Sequence, residues 1–502
     1  MNLSKSRYCK GVQCPKILWL DEHKSEERDD SGLNQRILDT GNKVGDLAMQ
    51  YFGDFTEVSY SDDKSKMLEE TKQLLDAKIK IICEASFAHN GNFCSVDILR
   101  RNKNKTEIIE VKSSTAVKPV YYDDAAFQYY VLSACGLNIS KVSIMHINNN
   151  YVLPEEGALN LKRFFTIQDC TKETLARQDD VASNINYFKK YAAQENEPEM
   201  EIGAQCYAPY ECPYCNYCFR HIPKESVFSI SSRALRMEKK FDLYNKGIVT
   251  IKQLLKSGDE LGASARLQAE TLFYKRPPAV DRNAIKAFLE SLRWPLYFLD
   301  FETMQEAIPL YKGMRPYMQT PFQYSLHIQK SAGAELEHKE FLAEEGMDPR
   351  RLLAQRLCDD IPKNVCIIAY NMSFEKSRIK ELADFFSDIS ENALSAHLMN
   401  IHDNFIDLMQ PFQTFAYYSN ELCGSYSIKK VLPALCHDDP ELDYHVLDLI
   451  HNGGEAQTAY AQLSDKNLSA EEKQRVRTAL LAYCRLDTLA MVKILEKLQD
   501  MA

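Results

Sequence analysis

The sequence predicts an α/β protein of several domains, on three observations. Its 502 residues call for two to four domains at roughly 100–200 residues each. Two runs, one ending near residue 150 and one opening at residue 294, alternate strand and helix periodicity, and a helical stretch over 219–290 separates them. With 45% hydrophobic and 26% charged residues, the composition is that of a globular protein and excludes collagen-like, coiled-coil and wholly disordered chains.

Taken in order, residues 31–53 and 67–77 read as helices, the second with Leu68, Thr71, Leu74 and Leu75 along one side. Residues 80–87 alternate as a strand, His89-Asn90-Gly91-Asn92 is a turn, and 93–99 is a second strand. Arg101-Asn102-Lys103-Asn104-Lys105 turns the chain into a third strand over 107–113. A helix over 124–134, stopped by Gly136, precedes a strand at 141–147. Residues 155–200 are polar and mostly helical. Past residue 294 come strands at 296–301, 322–329 and 339–342, a helix at 350–360, a strand at 366–371 and a closing helix over 470–499.

The formal charge of −10 arises from 61 basic and 71 acidic residues. It does not point to nucleic acid, but a local basic groove is compatible with it. Met1-Asn2-Leu3-Ser4-Lys5-Ser6-Arg7 leads into no long apolar run, and no stretch nears the roughly 18 apolar residues of a membrane span. The expectation is a cytoplasmic protein with no membrane partner. Its 15 cysteines are then reduced and, where clustered, serve metal binding or catalysis before disulfides. Cys206, Cys212, Cys215 and Cys218 fall in one short stretch among prolines and tyrosines, and Cys9 and Cys14 lie near the start. Four thiolates can hold an iron–sulfur cluster or a structural zinc, and spacing alone does not choose between them.

Two sets of acids stand out. Asp97 lies between Val96 and Ile98, and Glu110-Val111-Lys112 comes on the next strand. Alternation puts Glu110 and Lys112 on one face, and hairpin pairing can bring Asp97 beside them. Two carboxylates bind a hard divalent ion that polarises a phosphate and activates water, while a neighbouring lysine positions that water or offsets charge. In the second run, Asp300 and Glu302 share one face at the end of a strand, and Asn371-Met372-Ser373-Phe374-Glu375 comes after a later strand. Tyr483 and Asp487 lie one turn apart on the final helix. Such acids are costly to gather unless cations neutralise them, and they can hold two metal ions about 4 Å apart for in-line phosphoryl transfer.

The first set, in Glu84-Ala85-Ser86-Phe87, Val96-Asp97-Ile98-Leu99, Glu110-Val111-Lys112-Ser113-Ser114 and Gln128-Tyr129-Tyr130, resembles the RecB-like branch of the PD-(D/E)XK nucleases. The resemblance implies a restriction-endonuclease-like core over residues 1–218. Asp97, Glu110 and Lys112 would be catalytic, with Asp97, Glu110 and Val111 at a Mg²⁺ or Mn²⁺ ion. Relatives that frame this domain with one early and three late cysteines hold a [4Fe–4S] cluster. That implies a cluster, in preference to zinc, on Cys14, Cys206, Cys212 and Cys218, with Cys215 as the replacement ligand. Gly45 stands where many relatives have a histidine ligand, and Leu132 where they have a tyrosine.

The second set, together with Asp407 in Phe405-Ile406-Asp407-Leu408 and the stretch from Ser425 to Leu432, resembles the DnaQ-like 3′–5′ exonucleases of the RNase H fold, DEDDy subgroup. This implies an RNase H-like core over 291–502. Asp300, Glu302, Glu375, Tyr483 and Asp487 would be catalytic, with Asp300, Glu302 and Asp487 as metal ligands and Tyr483 orienting the attacking water. Glu375 stands where that family usually has aspartate. The combination also resembles an uncharacterised bacterial family that joins the two modules.

Between them, 219–290 forms a helical connector. Residues 231–256 are basic, and Tyr244-Asn245-Lys246-Gly247-Ile248-Val249-Thr250-Ile251 resembles helix–loop–helix segments that grip the DNA backbone without reading sequence. The expected function is a metal-dependent nuclease on single-stranded or end-containing DNA, in repair, recombination or defence, with RNA open to the second module. A reading from another class is an iron–sulfur DNA-binding scaffold with one or both sites inactive.

Overall fold

Alternating apolar side chains build the first sheet. The computed structural model describes residues 2–31, 35–103, 105–437 and 439–502, and the chain is a mixed α/β protein of two units. The first comprises Met1–Ile222 with Ala307–Tyr317. Its elements are helices α1 (Lys5–Gln13), α2 (Pro15–His23), α3 (Gln35–Met49) and α4 (Lys64–Asp76), then strands β1 (Ile81–His89), β2 (Asn92–Asn102) and β3 (Lys105–Lys112). Helix α5 (Pro119–Ala134), β4 (Ile139–Ile147), β5 (Phe165–Asp169) and α6 (Gln178–Ala192) come next. Of the expected helix over 31–53, residues 32–34 lie outside the described residues, as does Asn104 of the expected turn.

β1, β2 and β3 pair antiparallel, and α5 carries the chain over to β4, which runs parallel to β3. β5 closes that edge, and Leu3–Ser4 adds to β2. Residues 155–200 were expected to be mostly helical. They also supply β5, whose five residues are too short for periodicity to announce. Ile108 packs with α5, and Ile109 packs with Val44 and Ala48 of α3 on the other face.

The second unit comprises Pro223–Glu306 with Met318–Ala502. Residues 223–290 fall in the unit of the second sheet and pack a core cluster of their own, from Val227 to Ala269. They carry α7 (Met237–Asn245), α8 (Ile251–Lys256), α9 (Ala263–Tyr274) and α10 (Arg282–Glu290). The sheet contains β6 (Leu296–Met304), β7 (Thr320–Gln329), β8 (Leu336–Leu342), β9 (Cys366–Ala369) and β10 (Phe405–Asp407), in the order β8-β7-β6-β9-β10. β7 is antiparallel to β6 and β8, and β9 runs parallel to β6 and β10.

Tyr297, Leu299 and Phe301 form a core with α11 (Arg350–Asp360), α12 (Ser373–Asp388) and α13 (Asn392–Asp403). The opposite face of β6 meets the long closing helix. Short helices α14 (Ile428–Leu435) and α15 (Gly453–Gln462) precede that helix, α16 (Ala470–Met501). Ser469 starts it with a capping box to Glu472. Gln323 Nε2 donates to the Leu480 carbonyl at 2.8 Å, which ties α16 to β7.

Ala307–Tyr317 leaves the strand β6 to join the first unit. Ala307 enters the cluster of Val44 and Phe164, and the Leu153 amide donates to the Met314 carbonyl at 3.0 Å. The Tyr317 hydroxyl donates to the Ser113 carbonyl. Among the described residues, no helix is long and apolar enough to cross a membrane.

Candidate active sites

The first site forms where the β1–β2 ladder opens. Partners run Cys83 to Ile98 and Ala85 to Val96, and Glu84, in the left-handed region at φ 54°, falls between with Asp97. Side-chain parity switches there, since Ile82 and Ala85 share one core cluster, as do Val96 and Leu99. The switch frees the Asp97 carboxylate to accept the Val111 amide at 2.6 Å, and Val111 lines the same cleft of about 550 Å³.

Asp97, Glu110 and Lys112 thus come together, as expected. Lys112 Nζ lies 2.7 Å from Glu110 Oε1 and 2.6 Å from Asp124 Oδ2. Gln128 Nε2 donates to Glu110 Oε2 at 2.6 Å and to Asp124 Oδ1 at 3.0 Å. Asp124 and Gln128 stand one turn apart on α5, so that helix braces the side chains of Glu110 and Lys112 on β3. Burial and the Glu110 charge push Asp97 up to about 8. Burial also works against the Glu110 anion, but the charges of Lys112 and Lys5 outweigh it and hold that carboxyl below the usual range. Glu84, raised by burial, lines the cleft with Asp46 and Glu57. Gly45 lines it too, and a Cβ there would meet open space. Leu132 is buried in the core, away from the cleft.

The second site sits on the α16 face of β6. Asp300 and Glu302 from β6, Glu375 from the first turn of α12, and Tyr483 and Asp487 from α16 line one cleft of about 360 Å³. Burial and the surrounding acids raise Asp300 well above the carboxylate range, Glu302 to about 8 and Glu375 to about 8. Burial moves Asp487 to about 6 against the hydrogen bond it accepts from Tyr444. Among the described residues, Glu375 Oε2 is buried with no hydrogen-bond partner. Lys429, at the start of α14, donates to the Tyr483 hydroxyl at 3.1 Å. Asp407 fits the expected pattern but accepts the Asn371 and Met409 amides at 2.9 and 3.0 Å, a structural bond that holds the loop before Glu375. The Cys484 thiol lies 3.8 Å from Asp300 Oδ2, and a ligand atom from each of Asp300, Glu302 and Cys484 falls within 4.8 Å of the others.

All the predicted cysteines converge. Cys14, Cys206, Cys212, Cys215 and Cys218 line one apolar cavity with Ile17 and Leu20. The Cys215 thiol lowers Cys206 to about 7 and lowers Cys212 as well, while burial pushes Cys14 up to about 11. In the basic stretch, the Gly247 turn does join α7 to α8, with Thr250 and Gln253 forming a capping box. Its cations are partly engaged: Lys239 pairs with Asp259 at 3.2 Å, Lys240 is buried against the Phe228 carbonyl, and Arg233 stacks on Tyr426.

Lys5, Asp124, Tyr444 and Cys484 carried no sequence expectation of a role. Asp124 and Gln128, four apart at the head of a helix after Glu110-Val111-Lys112, offered a readable signal. Lys5 and Tyr444 reach their acids from distant segments and offered none.

Residues 297–427 match a family described as a domain of unknown function (DUF2779). The chain is 23% identical over 466 residues to the uncharacterized protein MG366 of Mycoplasma genitalium, covering 82% of this chain and 69% of that protein. It is 26% identical over 307 residues to the uncharacterized protein UU173 of Ureaplasma parvum serovar 3, covering 56% and 44%. A homolog of MG366 in Mycoplasma pneumoniae is 27% identical over 231 residues, covering 42% and 33%. The chain therefore spans less than half the length of the latter two. No solved structure matches the chain.

Proposed function

We propose that the chain is a metal-dependent nuclease with two active sites, acting on single-stranded or end-containing DNA. The observation that carries this reading is the second cleft. Four carboxylates from β6, α12 and α16 line it together, those of Glu302, Glu375 and Asp487 buried and that of Asp300 partly exposed, and one oxygen of Glu375 has no partner among the described residues. Acids in such a place are held apart by charge unless cations join them. Asp300, Glu302, Glu375 and Asp487 would hold Mg²⁺ or Mn²⁺, and Asp97 and Glu110 with the Val111 backbone would do so in the first cleft. When bound, such an ion supplies Lewis-acid polarisation of a phosphate and lowers the pKa of its water.

The chain's own side chains do the rest. Tyr483, fixed by Lys429, presents its hydroxyl to the cleft as an orienting group for water. Lys112, held by Glu110 and Asp124, places a fixed positive charge where the phosphate gains negative charge. The sheet order β8-β7-β6-β9-β10 with β7 antiparallel agrees with an RNase H-like core. The antiparallel β1-β2-β3 with parallel β4 reached across α5 agrees with a PD-(D/E)XK core. The cysteine set suits a [4Fe–4S] cluster, since soft thiolates on apolar walls are the donors such a cluster takes. Cys14, Cys206, Cys212 and Cys218 would hold it with Cys215 as the spare, and its contribution would be a cross-link between the N-terminal helices and the 206–218 loop.

The test is digestion of end-labelled single- and double-stranded DNA by the full chain with Mg²⁺ or Mn²⁺. Asp97→Ala/Glu110→Ala and Asp300→Ala/Glu302→Ala should each remove a separate activity. Digestion that survives both pairs together would sink the proposal, and cleavage of labelled RNA in preference to DNA would redirect the second site.

A further inference from the structure

The first cleft holds a second ammonium. Lys5 Nζ lies 2.8 Å from Glu110 Oε1, 3.7 Å from Asp124 Oδ1 and 4.0 Å from Asp97 Oδ1. Lys112 bonds the same Glu110 oxygen. Three carboxylates therefore share two lysines, and one of those lysines comes from a helix outside the sheet.

That helix, α1, is a link between two places. Lys5 is its first residue, and Cys14 ends it, with the Cys14 amide donating to the Lys10 carbonyl at 2.9 Å. At 1.5 Å per residue, the nine steps between them span about 13 Å. The helix is packed along that length. The Tyr8 ring stacks on Phe127 of α5 with centroids 4.8 Å apart. Gly11 lets α1 settle against α6, because a Cβ there would lie 2.7 Å from a Phe188 ring carbon. A close-packed helix moves as a body, so the seat of Cys14 at one end bears on the place of Lys5 at the other.

We propose that Lys5 is a positioning residue of the first site. Delivered by α1, whose far end the cysteine set anchors, its ammonium holds Glu110 and Asp124 in place and competes with the divalent cation for the Asp97–Glu110 pair. The inference rests on reading Asp97 and Glu110 as metal ligands. A carboxylate oxygen already facing an ammonium attracts a cation less than a bare one does, so Lys5 sets the metal affinity below that of the acids alone. An iron–sulfur site that loses its hold on Cys14 would then be felt at the carboxylates.

The test uses the full chain with its second site silenced by Asp300→Asn/Glu302→Gln, and reads Mn²⁺ binding by electron paramagnetic resonance of the free ion. Lys5→Met and Lys5→Gln should each tighten Mn²⁺ binding about tenfold, and Lys5→Arg should leave it unchanged. Cys14→Ser should also tighten binding and add nothing further in the Lys5→Met background. A lysine that only props the fold would leave Mn²⁺ binding unchanged or weaker in both neutral variants, which would overturn the proposal. Additive effects of Cys14→Ser and Lys5→Met would overturn the link through α1. If Asp97→Asn in the same background leaves Mn²⁺ binding intact, the metal reading of the site fails, and that result is separate from any effect of Lys5.

Discussion

The Tyr444 hydroxyl donates a 2.5 Å hydrogen bond to Asp487 Oδ1 in the second cleft. A phenol thus takes one oxygen of a candidate ligand. The bond favours the Asp487 anion and opposes the burial that raises its pKa. Tyr444→Phe should therefore raise the Asp487 pKa above about 6 and weaken Mn²⁺ binding at that site by about tenfold, the worth of a hydrogen bond to a charged group. Titration calorimetry of the full chain carrying Asp97→Asn checks it, and unchanged affinity would remove Tyr444 from the site.

Acidity in the second cleft gives a pH signature. Glu302 rises to about 8 through burial and its acidic neighbours, above the ordinary value near 4.3. The folded, metal-free chain therefore keeps a proton that the unfolded chain has lost, and this group's contribution to stability declines as pH rises between those two values. Glu302→Gln removes the decline. Without metal, urea denaturation should show the variant gaining on the wild type from pH 5 to pH 8, and saturating Mn²⁺ should reverse the order. A parallel pH dependence of the two proteins would contradict the assignment.

Lys112 depends on α5. Removing Asp124 takes one carboxylate from a cluster that holds two lysines, and leaves both ammonium groups to share Glu110. Asp124→Ala should cost about 3 kcal/mol in chemical denaturation, whereas Tyr122, on the same helix but only partly buried, should tolerate Tyr122→Phe. A loss under about 0.5 kcal/mol, typical of a surface change, would show that Lys112 is held by Glu110 alone.

The seat of α1 is tight enough to test. In Gly11→Ala the new methyl would meet Phe188 at 2.7 Å and Leu18 at 2.9 Å. An overpacked contact of that kind should destabilise by about 1–3 kcal/mol, read as a lower denaturation midpoint.

The cysteines divide by exposure. Cys135 and Cys423 are exposed and lie apart from the cavity that Cys14 lines. Anaerobically prepared wild type should carry about four irons per chain with visible charge-transfer absorbance. Cys135→Ser and Cys423→Ser should keep both, and Cys14→Ser should lose most of both. Zinc in place of iron in the wild type would replace the cluster by a structural zinc.

How much of the site is legible in the chain depends on range. Alternation over three residues places Glu110 beside Lys112, and one helical turn places Tyr483 beside Asp487, so the sequence alone reveals those pairs. The hairpin brings Asp97 alongside because antiparallel register is local. Lys5 reaches Glu110 across 105 positions and Tyr444 reaches Asp487 across 43. No periodicity spans such distances, and only the packing of α1 and of the segment before α15 decides them. The left-handed Glu84 escapes for a different reason: a strand pattern predicts extended backbone, and the break that opens the cleft is a departure from it.

The excursion of Ala307–Tyr317 into the first unit makes the polypeptide pass between its units three times. A gene cut after residue 222 would encode a first half missing Ala307 and the Tyr317 bond to Ser113, and a second half with a frayed gap between its first two strands. Neither half would keep every contact that its unit makes in the full chain. The matched family stretch of residues 297–427 spans the excursion, so its borders coincide with those of neither unit.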